Sequence, residues 1–269
     1  MGRLEVAGDR HAPLLLAVTR RKRIVSNPSV VQPALLSKIN ERQVLRAIQA
    51  RGPMSRAEVA RQSGISAPTA SKAVESLLRA GLLEETEAPG LSRGRPAKRL
   101  RLASATAQVL GVVIDADTCR LAPAGLDGRI QEERSLQFPT PANYGELLEI
   151  VAEHSRRLMA RRGVSTLGIG ISMPGLIDYR ERRGVLSPNV PITNGHSPAL
   201  DLERLLNVPC VLVQESHALC LAERYYGDAR GIDDFAMLDV ASGVGLGVMS
   251  GGRLLTGRSG LAGEIGHIT

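Results

Sequence analysis

Two short runs decide the reading of the N-terminal part: Ser55-Arg56-Ala57-Glu58, and Ser63-Gly64-Ile65-Ser66-Ala67-Pro68. The first is a capping box. The Ser55 hydroxyl can accept from the Glu58 backbone N–H, and the Glu58 carboxylate can reach back to the Ser55 N–H, so a short helix begins there. Gly64 is free to take positive φ and ends that helix in a tight turn. Ser66 is placed to cap the next helix, with Pro68 in its first turn, where a missing N–H costs nothing. Two helices joined by a glycine turn predict a helix-turn-helix.

The flanks extend this reading. Leu36, Ile39, Val44, Leu45 and Ile48 recur at helical spacing between Leu35 and Ala50, and Arg51-Gly52-Pro53 ends that helix. In the third helix Ala70, Val74, Leu77 and Leu78 share the inward face, while Thr69, Lys72 and Ser76 point away. Beyond Gly81, the arms Leu82–Glu85 and Arg99–Leu102 flank a tip, Ala88–Lys98, rich in Gly, Pro and Arg. That is a hairpin, or wing. Residues 34–102 are therefore expected to be a winged helix-turn-helix. Residues 1–33 show no periodicity, contain Arg20-Arg21-Lys22-Arg23 and are expected to be a flexible basic tail.

Charge is split along the chain. Residues 1–102 carry 19 Lys/Arg and 8 Asp/Glu, a net of +11; residues 103–269 carry 15 and 19, a net of −4. A polyanion partner is implied for the first part only. All six aromatic residues follow residue 137. The basic part thus lacks platforms on which single-stranded bases could stack, which favours duplex DNA. The start of a recognition helix meets base edges in the major groove, so Thr69 and Lys72 are the candidate base contacts. Ser66 and Ser71, with the amides at the helix start, are candidate phosphate contacts. The wing run Arg93-Gly94-Arg95-Pro96-Ala97-Lys98-Arg99 is narrow enough to insert arginines into a minor groove, which adds Arg93, Arg95, Lys98 and Arg99.

After residue 103 the pattern changes. Strand-like runs at Val109–Ile114, Leu167–Ser172, Val211–Gln214 and Phe235–Val240 alternate with helix-like runs at Tyr144–Arg162 and Ser216–Tyr226. The alternation predicts an α/β domain with a largely parallel sheet. No run of 18 apolar residues suggests a membrane span. The apolar patch at Ala12–Val18 precedes the basic cluster, the reverse of a secretory signal. Cys119, Cys210 and Cys220, odd in number and widely spaced, read as reduced thiols. A cytoplasmic protein is expected.

Three segments carry the chemistry of this second part. They are Met173-Pro174-Gly175-Leu176-Ile177-Asp178; Ser187-Pro188-Asn189; and Gly243-Val244-Gly245-Leu246-Gly247 with Gly260-Leu261-Ala262-Gly263-Glu264-Ile265-Gly266-His267. Glycines crowd where backbone approaches backbone or a phosphate. Asn189, Glu264 and His267 mix donors and acceptors, as a sugar's hydroxyls require. Together these segments resemble the ROK family of repressors and sugar kinases. The resemblance runs from about residue 34 to the end and implies an actin-like, ribonuclease-H-like sugar-kinase fold for residues 103–269.

It further implies sugar contacts at Asn189, Glu264 and His267. The departures are specific. Kinase members open the fold with a DxGGT-type phosphate loop; here Val113-Ile114-Asp115-Ala116-Asp117-Thr118 puts two carboxylates where phosphates would lie. Their catalytic base is the Asp of an ENDAN-type run; here Glu215-Ser216-His217-Ala218-Leu219 places His217 at that position, within reach of the sugar site. No catalytic residue and no ATP binding are expected. In the family the residue matching His267 also binds zinc with three cysteines of a CxCGxxGC motif further on. This chain lacks that motif, so no metal is expected and the domain reads as incomplete at its C-terminal end. The expectation is a DNA-binding regulator, a repressor of carbohydrate genes with a monosaccharide effector and a homodimer; a sugar kinase with a fused DNA-binding domain is the alternative.

Overall fold

The computed structural model describes residues 33–87, 98–240, 243–258 and 260–267. The basic tail and the wing tip with Arg93 and Arg95 lie outside the described residues. Helices α1 (Pro33–Arg51), α2 (Arg56–Ser63) and α3 (Ala67–Arg79) precede the antiparallel strands β1 (Leu83–Glu87) and β2 (Lys98–Leu102). Val44, Ile48, Val59, Val74, Leu77, Leu83 and Leu100 close one apolar cluster among them. Met54 extends the wing by a bridge: its N–H donates to Leu100 O at 3.0 Å, and Leu100 N–H to Met54 O at 2.7 Å.

Two details differ from the periodicity. Leu36 and Ile39 do not point inward; with Leu35 they are 44–53% exposed, because α1 meets the core only from Val44 onward. Leu78 is half-buried and packs on the margin of the cluster, while Ala73 takes a fully buried place beside Val74.

The second domain begins with a five-stranded sheet. Its strands are β3 (Ala107–Ile114), β4 (Thr118–Ala124), β5 (Leu136–Pro139), β6 (Ser165–Met173) and β9 (Cys210–Gln214), in the order β5-β4-β3-β6-β9. Helices α4 (Tyr144–Met159) and α5 (Pro198–Leu206) pack on it, and a small hairpin, β7 (Leu176–Asp178) with β8 (Arg183–Leu186), follows β6. This is the ribonuclease-H-like strand order that underlies the actin-like fold. The sheet is mixed, not largely parallel: β3, β6 and β9 run parallel, but β4 and β5 are antiparallel. The three residues between β3 and β4 are too few for a crossover, so the chain must turn straight back.

A second sheet, β10 (Phe235–Val240), β11 (Val244–Ser250) and β12 (Arg253–Leu254), packs on helix α6 (Glu215–Tyr226). Contact is close enough to demand glycine. A Cβ on Gly247 would lie 2.5 Å from both Cys220 Cβ and Ser216 O, and one on Gly245 would lie 3.0 Å from Ser216 Cβ. Strand alternation turns Leu238, Val240 and Val244 to the opposite face, where they are 44–70% exposed.

The two domains touch at several points. Ala103 N–H donates to Leu82 O at 3.1 Å, and Leu126 N–H to Ala103 O at 2.9 Å, while the Leu126 side chain packs on the winged-helix core. Beyond α6, Arg230 Nη2 donates to Ala50 O at the end of α1, at 3.3 Å. Tyr226 at the last turn of α6 covers Gly128, whose Cβ position is 2.1 Å from the ring.

Overpacking a close helix–strand contact costs about 1–3 kcal/mol. Gly247→Ala is therefore expected to lower unfolding free energy by about 2 kcal/mol, read by chemical denaturation. Ala at Gly251, where nothing lies within 4 Å but φ is +56°, is the control for backbone strain alone.

Candidate nucleic-acid interface and ligand cleft

The capping box forms as its residues predict. Glu58 N–H donates to Ser55 Oγ at 3.3 Å and Ser55 N–H donates to Glu58 Oε2 at 2.7 Å. Those bonds hold the Glu58 carboxyl below its usual range. Gly64 closes α2 at φ +69°. α3 then starts at Ala67, and Lys72 is exposed, with Ser71 and Thr69 half-buried.

Ser66 departs from its expected role. It is the N-cap residue by backbone geometry, but its side chain makes no cap bond. Its hydroxyl instead pairs with Thr69 Oγ1 at 2.8 Å. Pro68 in the first turn removes one of the amides a cap would serve. The Ser66–Thr69 pair is exposed at the head of α3, so both hydroxyls stand where a recognition helix meets DNA.

The described part of the wing holds its cations in pairs. Lys98 Nζ bonds Glu85 on the facing strand, Arg56 Nη2 approaches Glu85 at 3.5 Å, and Arg101 is 2.7 Å from Glu84. Arg99 Nη2 lies 3.8 Å from Glu58, the capping-box acid. Lys98 thus ties the two strands of the hairpin and Arg99 ties the hairpin to α2, and a phosphate would have to compete with these carboxylates for them. Lys72 has no such acid partner among the described residues.

The second domain brings a cleft together at the start of α6. Asp115 follows β3, and its Oδ1 accepts from Ala116 N–H at 2.7 Å. Glu215 opens α6. Burial, then the charges of Asp239 and Asp115, push its carboxyl above the usual range. Three acids therefore converge where the kinase resemblance puts phosphates. Gly245 and Gly247 serve the contact of β11 with α6.

His217 is fully buried in the first turn of α6. Its Nδ1 lies 2.7 Å from Tyr179 Oη and its Nε2 lies 3.1 Å from Ala262 O. Burial depresses its pKa. The partners assign the neutral tautomer. A carbonyl only accepts, so Nε2 carries the proton. Nδ1 is then bare and accepts from the Tyr179 hydroxyl, which itself accepts from Gln214 N–H at 3.2 Å. Glu264 accepts from the side-chain amide of Gln214.

His217 and Glu264 thus meet around the first residues of α6. Asn189 is exposed on the loop after β8, and its Nδ2 is 3.9 Å from the Cβ position of Gly243. His267 ends a single 3-10 turn, Ile265–His267, and its side chain lies outside the described residues. Tyr179, Gln214 and the Ala262 carbonyl escaped sequence reasoning: their partners are 35–50 residues away, and no motif spacing marks them. Cys119, Cys210 and Cys220 are each buried on different elements. Among the described residues no three His, Cys, Asp or Glu side chains gather as metal ligands, and no helix is long and apolar enough to cross a membrane.

The ROK family model matches residues 109–269, and a MarR family model matches residues 38–94. The chain belongs to the ROK family. It is 27% identical over 244 residues to the xylose repressor of Bacillus subtilis, covering 89% of this chain and 62% of that protein. The same identity holds to the N-acetylglucosamine repressor of Escherichia coli O157:H7, over 87% and 58%. The chain spans about 60% of the length of these relatives. Among solved structures, a ROK family transcriptional regulator, a homologue of the E. coli MLC protein, superposes with TM-score 0.72 over 87% of this chain and 59% of its own, at 24% identity, which speaks to the fold. The ROK hexokinase of Thermus thermophilus matches at TM-score 0.53 and 31% identity, over 60% of this chain and 53% of its own. The repressors therefore match across both domains of this ROK chain, and the hexokinase across a share the size of the second.

The raised Glu215 pKa has a pH signature. The folded chain prefers the protonated acid; the stability this contributes is complete below the ordinary carboxylate range and is lost as pH rises through the elevated pKa. Glu215→Gln mimics the neutral form. At pH 7 it is expected to raise the melting temperature by about 2 °C, and at a pH below the carboxylate range the gain should vanish. A gain that is the same at both pH values would contradict the assignment.

Proposed function

We propose that this chain is a DNA-binding transcriptional regulator, acting as a repressor of carbohydrate genes. The observation that carries the proposal is the covalent and packed union of a basic winged helix with a ROK domain whose phosphate-loop positions are acidic. In this reading α3 enters the major groove. Thr69 and Lys72 read base edges, Ser66 and Ser71 hold phosphate, and Lys98, Arg99, Arg93 and Arg95 act from the wing. Two copies bind two half-sites, as winged helix-turn-helix dimers do. The domain boundaries follow: a basic tail at 1–33, the winged helix at 34–102 and the ROK domain at 103–269.

A monosaccharide is the proposed effector, with Asn189, Glu264 and His267 as its candidate contacts; His217, a fourth candidate by position, is buried with both nitrogens taken by Tyr179 and Ala262 and lies behind them. The names of the relatives nominate xylose and N-acetylglucosamine. Neither ATP nor a metal has a part in this reading, and the protein works in the cytoplasm, away from membranes. The match to a hexokinase supports one alternative, phosphorylation of a hexose. Asp115, Glu215 and Asp239 oppose it, because three carboxylates repel a nucleotide's phosphates. Coupled ADP release on glucose and N-acetylglucosamine separates the two: turnover would favour the kinase.

The direct test selects a preferred duplex from a random library and titrates it by fluorescence anisotropy over a range of salt. Lys72→Ala is expected to weaken the preferred site about tenfold and an unrelated duplex much less. Arg93→Ala with Arg95→Ala is expected to weaken both and to flatten the salt slope by about two. Unchanged affinity and slope in both variants would remove the DNA-binding reading.

A further inference from the structure

The Gly260–Glu264 segment is held to the start of α6 by the chain itself. From below, Ala262 O accepts from His217 Nε2, and Glu264 accepts from Gln214. On one flank Gly260 presses on the hairpin region: a Cβ there would lie 2.6 Å from both Ile177 O and the Tyr179 ring. On the other flank Leu246 N–H donates to Gly263 O at 3.0 Å, and a Cβ on Gly263 would lie 1.8 Å from Leu246 O. Two glycines at φ +83° and +95° permit both approaches. One side chain links these contacts. His217 touches Tyr179 through one nitrogen and Ala262 through the other, so a single buried ring joins β7's exit, α6 and the segment.

We propose that His217 is a positioning residue that latches the Gly260–Glu264 segment, and with it the Glu264 carboxylate, onto α6 without any ligand. The imidazole suits this because it offers one acceptor and one donor on opposite sides of a rigid ring. An aspartate at the same position would offer acceptors only and would face the Ala262 carbonyl with like polarity. The latch is therefore incompatible with the acid that the kinase resemblance places here. A consequence is that Glu264 is already satisfied in the unliganded chain, so any polar ligand that reads it must displace the Gln214 amide. The inference stands on these contacts and not on the assignment of a sugar or of DNA as ligand.

Hydrogen exchange on the full chain, with no ligand added, tests it. The reporters are the amides of Ala262, Ile265 and Leu246, whose acceptors are Thr256 O, Gly263 O and Gly263 O. Amides of Val112 and Ile171 in the central sheet report global stability. His217→Asn keeps a group near Nδ1 and loses the reach to Ala262; His217→Gln keeps a donor near Nε2. His217→Asn and His217→Asp are expected to speed exchange at the three reporters by about fivefold or more, with the central sheet unchanged. His217→Gln is expected to stay within about twofold of the parent chain. Equal protection in the Asn variant and the parent, or equal loss in Asn and Gln variants, would overturn the proposal. Should the Asp variant fail to fold, the neutral Asn and Gln pair decides alone.

Discussion

The contact between α6 and β11 is the constraint on which the rest of the second domain depends. Gly247 sits so close to Cys220 and Ser216 that no side chain fits between them. That approach sets the height of α6 over the second sheet, and so places Glu215, Ser216 and His217 at the mouth between the sheets. It also fixes the other end of the helix. Tyr226 at its last turn covers Gly128, and Arg230 just beyond reaches the last residues of α1 in the winged helix. A helix of 12 residues spans about 18 Å, so one element has the cleft at its head and the winged-helix domain at its foot.

Electrostatics divide along the same line. The N-terminal domain keeps an excess of cations, yet the described wing cations are matched by Glu58, Glu84 and Glu85. Those acids lie on α2 and the facing strand and fix the hairpin's angle to α2. Lys72, outside this network, projects from the middle of α3. The second domain carries the opposite excess, concentrated at its cleft by Asp115, Asp239 and Glu215. The acids at the cleft and the cationic excess of the winged helix therefore lie in separate domains.

Local rules were legible to the extent that the forces behind them are local. The capping box, the Gly64 turn and the β10 run at Phe235–Val240 depend on neighbours within a few residues, and each is where its residues predict. Strand β4 was not legible because Arg120 and Pro123 interrupt its apolar pattern. Pro123 is tolerated because β5 pairs only with Thr118–Leu121, leaving that end of β4 without a second partner strand. Missing β4 hid the antiparallel half of the sheet. The Ser66 cap failed for a local reason too: Thr69 offers its hydroxyl a partner at 2.8 Å, and a backbone amide lost the competition. The ligand cleft was only partly legible. Its motif residues were visible, but what engages them is supplied from distant segments by the fold.

The fate of His217 shows why a motif position and a role separate. At the position where the kinase resemblance expects a base, a side chain must face the ligand and be free to take a proton. His217 has neither freedom: it is buried, its pKa is depressed by that burial, and both nitrogens are committed. A base whose lone pair already accepts from Tyr179 can take a substrate proton only by breaking that bond, and its other nitrogen would lose Ala262 if the ring turned to do so. Those bonds are what hold Glu264 in place. Chemistry and architecture therefore make opposite demands on one ring, and in this chain the hydrogen-bond geometry satisfies the architecture. A residue in that state is suited to set the shape of a cleft.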